Sequence, residues 1–180
     1  MLKTREIALI AIMSSTGGAV SVPIGYFGNL LKGIPWLPFG SPQLLSGIHV
    51  IWLMLVRLIT KRFGTATLTG AVKGFVELSL FSFHGIQVFP ISIVEGLTAD
   101  IVLSILDSGS PIKVAIAGGL SSSSNVLVLY LLLLQSLPLF LITLMWILSF
   151  VSGLLAGYFC EYTSRRISNI SSPLYAYKAT

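Results

Sequence analysis

The sequence contains very little charge and only one cysteine. Charged residues make up 9% of its 180 residues, compared with roughly 25% in soluble domains. Hydrophobic residues make up 54% of the chain, and the mean hydropathy is +0.93. This composition excludes a soluble globular domain and predicts an integral membrane protein. The single cysteine, Cys160, excludes a disulfide within the chain.

Motifs for catalysis and for ATP binding are also missing. The chain has no Walker A sequence, no Gly-x-Ser-x-Gly nucleophile elbow and no His-Glu-x-x-His zinc helix. Gly119-Leu120-Ser121 begins like an intramembrane serine site, but Ser122 follows where that site has glycine, and neither histidine lies on the last two apolar segments. We therefore expect no enzyme activity, no cofactor and no metal, and favour binding or passage of a small molecule.

The apolar residues form six segments that could cross a bilayer core of about 30 Å. The first segment follows Glu6 and continues to Leu31, and a connector rich in Gly and Pro follows it at 32–42. The other segments are Gln43–Ile59, Gly64–Ser82, Pro90–Leu106 and two between Val114 and Cys160, which Gln135–Pro138 separates. The predicted fold is an all-α bundle of six transmembrane helices at residues 1–167, with a mobile cytoplasmic tail at 168–180.

The basic residues indicate the orientation of these six segments. With an even number of spans, nearly all of the eleven Lys and Arg residues fall on one side of the membrane. By the positive-inside rule, both termini are predicted to be cytoplasmic, in a multi-pass protein of the cell membrane. The pI near 9.6 is then explained without a nucleic-acid partner. The basic residues on the predicted cytoplasmic side are Lys3, Arg5, Arg57, Lys61, Arg62, Lys113, Arg165, Arg166 and Lys178.

Four ionisable residues lie inside the third and fourth segments, namely Lys73, Glu77, Glu95 and Asp100. Each would cost roughly 2.5–3.5 kcal/mol at the bilayer centre without a partner, so they must pair or face a cavity. Glu77 and Glu95 are predicted to be an outer pair, and Lys73 and Asp100 a deeper pair that compensate each other. Because Lys73 and Glu77 are four residues apart, a pair within one helix is the alternative.

Further polar and aromatic residues cluster toward the predicted outer end. Together with the outer carboxylates they predict a polar cavity that is open to the outside and covered by the 32–42 connector. His49 also lies near this end, but a lone histidine there is more often hydrogen-bonded to neighbours than to ligand. The residues predicted to line a ligand site are Glu77, Glu95, Asn125, Trp36, Tyr26, Asn29 and His84.

Small residues recur every fourth position in the first segment, at Ala11, Ser15 and Ala19. This spacing makes one helix face nearly flat and lets another helix approach closely. The approaching helix could belong to the same bundle or to a partner subunit, and the spacing alone does not distinguish the two.

Five stretches resemble the substrate-binding S components of energy-coupling-factor (ECF) vitamin transporters, in particular those of the hydroxymethylpyrimidine and thiamine type. The resemblance covers about residues 3–160. In that family the fourth span more often reads Gln-Gly-Leu-Gly-Ala-Glu, so Glu95, Thr98 and Asp100 depart from it, as does Lys73. The stretches are Arg5-Glu6-Ile7, Phe27-Gly28-Asn29-Leu30-Leu31, Val76-Glu77, Glu95-Gly96-Leu97-Thr98-Ala99-Asp100 and Ala117-Gly118-Gly119-Leu120-Ser121-Ser122.

The resemblance implies capture of a vitamin outside the cell and docking on a transmembrane coupling subunit that two ABC-type ATPases drive. It implies that the Ala11, Ser15 and Ala19 face is the docking surface. Glu77 and Glu95 would bind an aminopyrimidine or a thiazolium-like group, Trp36 and Tyr26 would stack on its ring, and Asn125 would orient it. A stand-alone secondary carrier or channel for a small polar or cationic solute is the alternative.

Overall fold

The computed structural model describes residues 2–31, 41–82, 85–106 and 110–176, with the backbone alone at 41 and 169–176. Over these ranges the chain is helical and has no β-strand, which confirms the predicted all-α fold with six long helices. The helices are α1 (Thr4–Leu30), the single turn α2 (Ser41–Leu44), α3 (Ser46–Thr60), α4 (Thr65–Ser79), α5 (Val88–Leu106), α6 (Pro111–Leu132) and α7 (Leu139–Ala176), with a 3₁₀ turn at Gly85–Gln87.

Among the described helices, five are long and apolar enough to cross a membrane. One of these spans, Pro42–Thr60, joins α2 and α3. The exception is α4, whose 15 residues extend only about 22 Å at 1.5 Å per residue. This helix packs against α1, α3 and α5, and it carries the buried ion pair of Lys73 with Glu77. Its protein neighbours, more than its own hydropathy, therefore stabilise α4 within the bundle.

The last helix extends into the predicted tail. In the structure α7 continues to Ala176, and the mobility of the segment 168–180 stays a prediction. The polar residues after Cys160 do not end the helix. They carry an ion pair between Glu161 and Arg165, which are four residues apart and can support a helix on its surface.

Glycines allow α6 and α7 to lie almost backbone to backbone. A Cβ atom added at Gly118 would overlap the carbonyl oxygen of Gly153, and one added at Gly153 would overlap the carbonyl oxygen of Gly118. One turn further, a Cβ at Gly157 would lie 2.5 Å from the carbonyl oxygen of Val114. Small residues at helix contacts are typical of membrane bundles, in which van der Waals packing drives association.

Two ion pairs bring four helix ends together. Arg62 and Glu6, 2.8 Å apart, join the α3–α4 turn to the start of α1. Arg57 Nε lies 3.1 Å from Asp100 Oδ1 and joins the last turn of α3 to α5. These contacts define one end of the bundle, called the basic end below, to which α7 contributes Arg165 beside Lys61. The common location of these basic residues agrees with the predicted topology, and the cytoplasmic orientation stays a prediction.

Candidate functional site

A cavity lies inside the bundle among α2, α3, α4, α5 and α6. Its volume is about 40 Å³, room for about one water molecule, whereas small-molecule sites usually enclose roughly 300–1,000 Å³. A vitamin-sized ligand therefore requires the cavity to widen. The described residues that line it are Pro42, Gln43, Ser46, His49, Lys73, Glu77, Val88, Ile91, Ser92, Glu95, Asn125 and Leu129.

Three ionisable side chains line this cavity and are almost completely buried. Lys73 and Glu77 are each 1% exposed and form an ion pair along α4. Glu95 on α5 is 2% exposed and is close enough to both to feel their charges, while the side chain of Asn125 hydrogen-bonds to it. The cavity thus combines two carboxyl groups, one ammonium and two amides, those of Gln43 and Asn125, in a place that water barely reaches.

One polar atom at this site has no partner among the described residues. The Oδ1 atom of Asn125 is buried and accepts no hydrogen bond, although the side-chain amide interacts with Glu95. Leaving a buried acceptor unsatisfied costs about 1–3 kcal/mol. A ligand that donates a hydrogen bond in the cavity would remove this penalty.

The predicted pair of Lys73 with Asp100 is wrong. Asp100 instead pairs with Arg57 and accepts hydrogen bonds from the backbone N–H of Thr67 at 2.8 Å and from its hydroxyl at 2.7 Å. The reason is the level at which α5 meets α4. Asp100 lies beside the first turn of α4, whose N–H groups have no acceptor within the helix and whose positive dipole end attracts a carboxylate. Lys73 lies two turns further along α4 and meets Glu77, which was the predicted alternative.

Three of the predicted ligand residues come together at the cavity, namely Glu77, Glu95 and Asn125. Two others, Tyr26 and Asn29, are not part of its described lining. The hydroxyl of Tyr26 donates to the carbonyl of Phe81 at 2.9 Å and so joins α1 to the end of α4. The remaining two, Trp36 and His84, lie outside the described residues.

Part of the cavity wall is not predicted from the sequence. Lys73 was predicted to lie deeper, and Gln43, Ser46 and Ser92 were not singled out. These short polar side chains sit among apolar neighbours in the sequence, so no charge distinguishes them. A detectable signal was present only at Gln43, a polar residue next to Pro42 at the start of an apolar segment.

Serine hydroxyls join the cavity wall to the last two long helices. The Oγ atom of Ser46 lies 2.8 Å from those of Ser122 on α6 and Ser149 on α7, and it donates to the carbonyl of Gln43 at 2.6 Å. All three serines are buried. This network fixes α2 and the start of α3, and with them Gln43 and Ser46, relative to the rest of the wall.

The small-residue positions of α1 divide between two faces. Ser14 and Gly18 are buried, with the Ser14 hydroxyl donating to the carbonyl of Thr69 at 3.1 Å. Ala11, Ser15 and Ala19 are exposed. Over the described residues, the bundle therefore does not cover the Ala11, Ser15 and Ala19 face, and its role as a partner surface stays a prediction.

Comparison with known proteins gives the family. A family model described as "ABC-type cobalt transport system, permease component" matches residues 5–124, two thirds of the chain. The chain belongs to this permease family. No curated protein matches it.

The fold of this permease-family chain also occurs in a solved structure. A crystal structure of an S-component of ECF transporter superposes with a TM-score of 0.83, covering 95% of this chain and 88% of that chain at 23% identity. The permease-family chain thus has the S-component fold, and it is a multi-pass membrane protein of a transport family.

Proposed function

We propose that this chain is the substrate-binding S component of an ECF transporter, and that it binds a small water-soluble vitamin or precursor for uptake. The observation that carries the proposal is the group of Glu77, Glu95, Lys73 and Asn125 around one buried cavity. Ionisable groups at membrane depth are costly, and they therefore usually mark a functional site. The same role is supported by the similarity of the fold to an S component and by membership of the permease family.

The cavity chemistry favours thiamine or its hydroxymethylpyrimidine moiety. An aminopyrimidine has an exocyclic amine that donates hydrogen bonds and ring nitrogens that accept them. Glu95 or Glu77 accepts from the amine, Asn125 Oδ1 accepts from a second donor, and the Lys73 ammonium donates to a ring nitrogen or a hydroxyl. Hydrogen bonds that involve a charged group are stronger than neutral ones, at about 1.5–3 kcal/mol each. The stacking role of Trp36 rests on its sequence position alone.

A bare divalent cation such as cobalt fits this cavity less well, although the matching family model names cobalt transport. Within the described residues, no group of three or more His, Cys, Asp or Glu side chains could hold a metal ion. The Lys73 ammonium also pairs with Glu77 in the cavity wall, which leaves this carboxylate less available as a metal ligand. The donor set therefore suits an organic ligand with both donors and acceptors.

Substitution of the two cavity carboxylates tests the ligand site. We expect Glu95→Gln and Glu77→Gln each to weaken binding of thiamine or hydroxymethylpyrimidine by roughly 10- to 100-fold, because a charge-assisted hydrogen bond is lost. Mass spectrometry of the small molecules that co-purify with the protein first identifies the ligand that it retains. Isothermal titration calorimetry of the purified variants then measures the change in affinity.

Glu6→Gln is the matched control, because it makes the same change at the basic end, where Glu6 pairs with Arg62 outside the cavity. It should leave affinity unchanged. Equal binding by the wild type, Glu77→Gln and Glu95→Gln would overturn the assignment of the site.

Proton-coupled uptake by this chain alone in liposomes would instead support a secondary carrier.

The exposed face of Ala11, Ser15 and Ala19 is the proposed docking surface for the transmembrane coupling subunit, which two ABC-type ATPases would drive. A large side chain there would hold the two helices apart. We expect Ala11→Trp to reduce co-purification of the coupling subunit by roughly 10- to 100-fold, the effect of 1–3 kcal/mol of overpacking, while ligand affinity stays intact.

Leu155→Trp is the control for docking, since Leu155 on α7 is 71% exposed. That variant should retain the complex. Loss of ligand binding together with the complex in Ala11→Trp would show a defect in the bundle itself and would contradict the docking role.

A further inference from the structure

A second and larger cavity lies at the basic end, between the end of α3 and residues 161–168 of α7. Its volume is about 250 Å³. It shares no residue with the cavity of Glu77 and Glu95, and the proposed function does not use it. The described residues that line it are Leu58, Ile59, Lys61, Glu161, Ser164, Arg165, Ile167 and Ser168.

The position of this cavity along α7 corresponds to the membrane surface. The apolar span of α7 runs from Leu139 to Ser168. Glu161 lies 22 residues after Leu139, which is about 33 Å along a helix with a rise of 1.5 Å per residue. The hydrocarbon core is only about 30 Å thick. Glu161, Ser164 and Arg165 therefore lie at the level of lipid headgroups when Leu139 is at the opposite surface.

The polar wall of the cavity carries a net positive charge. Lys61 and Arg165 are cationic, and Glu161 is the one carboxylate in the described lining. Arg165 donates to Glu161 through Nε at 2.7 Å, which leaves the terminal amino groups of its guanidinium to donate elsewhere. The Arg165 side chain is 55% exposed, whereas that of Glu161 is 6% exposed. An incoming anion therefore meets the guanidinium before the carboxylate.

Lys61 reaches this cavity from an unusual backbone conformation. It caps the end of α3 with φ of 53°, and its N–H donates to the carbonyl of Arg57 at 2.9 Å. Glycine is the usual residue in this left-handed position, because a Cβ atom is strained there. A lysine at this position ends α3 at some conformational cost and places an ammonium group on the cavity rim.

Aromatic residues flank the same site on α7. Tyr158 and Tyr162 are 60% and 55% exposed, and with Pro111 they line a cavity of about 130 Å³ on the other side of Glu161 and Arg165. The guanidinium of Arg166 lies 5.2 Å from the centre of the Tyr162 ring. Exposed tyrosines next to basic residues are typical of the membrane–water interface.

We propose that the cavity at the basic end binds the headgroup of an anionic phospholipid. The phosphate lies between Lys61 and Arg165 and accepts hydrogen bonds from both. The glycerol lies against Leu58 and Ile59, which form the apolar part of the wall. Basic pockets between membrane helices at the headgroup level recognise such lipids in general. The lipid would hold the end of α3 and residues 161–168 of α7 together at the membrane surface.

Native mass spectrometry tests this site on the whole chain in detergent with equal amounts of phosphatidylglycerol and phosphatidylcholine of the same acyl chains. We expect preferential retention of phosphatidylglycerol. Lys61→Gln should reduce that preference about fivefold, since one basic residue near the membrane surface contributes about 1 kcal/mol. Arg165→Lys should retain the preference, because it keeps the charge and the partner of Glu161.

Glu161→Gln should have the opposite effect on lipid retention to Lys61→Gln. It removes the competing carboxylate and should increase retention of phosphatidylglycerol, a gain that a misfolded variant would not show. Lys3→Gln is the control, because Lys3 lies at the start of α1, outside both cavities at the basic end. The proposal is overturned if Lys3→Gln reduces retention as much as Lys61→Gln. It is also overturned if inorganic phosphate displaces the lipid, which would identify a site for free phosphate.

Discussion

Asp100→Ala should lower the free energy of unfolding by about 3–5 kcal/mol, the usual cost of removing one partner from a buried ion pair. Asp100 is completely buried, and it both pairs with Arg57 and accepts hydrogen bonds from Thr67 at the start of α4. Without it, the guanidinium of Arg57, which is 12% exposed, and the first N–H groups of α4 lose their acceptor. Denaturant or thermal unfolding of the purified protein in detergent measures the change.

One further variant separates charge from hydrogen bonding at this position, and a second serves as a control at the same end of the bundle. Asp100→Asn keeps an acceptor for Thr67 but loses the charge that faces Arg57, so its destabilisation should be intermediate. Glu6→Ala removes the carboxylate of the more exposed ion pair at the same end, and it should leave stability nearly unchanged. If Asp100→Ala and Glu6→Ala were equally mild, Asp100 would not be paired as the structure shows.

Gly153→Val should destabilise the bundle by roughly 3 kcal/mol or more, at the upper end of the cost of overpacking. A side chain at Gly153 would overlap the carbonyl oxygen of Gly118 and would lie 2.5 Å from the Cβ atom of Ser122. The obstacle is largely backbone, which cannot change rotamer, so α6 and α7 would have to separate. The unfolding transition in detergent reports this loss.

The separation of α6 from α7 would also disturb the serine network, because Ser122 lies on α6 and Ser149 on α7. We therefore expect Gly153→Val to weaken ligand binding as well, through Ser46 in the cavity wall. Leu155→Val is the control, since it places the same side chain two residues away on α7, where Leu155 is 71% exposed. Similar stability of Gly153→Val and Leu155→Val would contradict the close contact of the two helices.

Three of the residues that the sequence predicts at the ligand site line one cavity in the structure. These are residues whose polar side chains are costly to bury in an apolar segment. Glu77 and Glu95 were recognised because a carboxylate within an apolar segment must have a partner or a cavity. Asn125 was recognised because it follows four serines in an otherwise apolar helix. All three line one cavity. Tyr26 and Asn29 were predicted to bind ligand because they lie near the outer end of the first apolar segment. The depth of a residue in the membrane does not determine which way its side chain points.

The partner of each buried charge could not be derived in the same way. Lys73 could have paired with Glu77 or with Asp100, and both pairs would have satisfied the burial argument. The choice depends on the level at which α5 passes α4, which places Asp100 beside Thr67 and leaves Lys73 with Glu77. The relative position of the two helices along their axes follows from close contacts such as those of Gly70 and Gly96. The spacing of apolar residues along the sequence carries no information about this position.

The sequence by itself determined the class of protein and the number of long helices, because the cost of placing charge or unsatisfied backbone in lipid depends on composition and order alone. It also predicted that Glu77 and Glu95 face a cavity, and both line one in the structure. Only the tertiary structure decided that Asp100 pairs with Arg57, that the Ala11, Ser15 and Ala19 face is exposed, and that the cavity has about 40 Å³. Each of these depends on how helices are placed against one another, and that placement is set by packing between residues far apart in the chain.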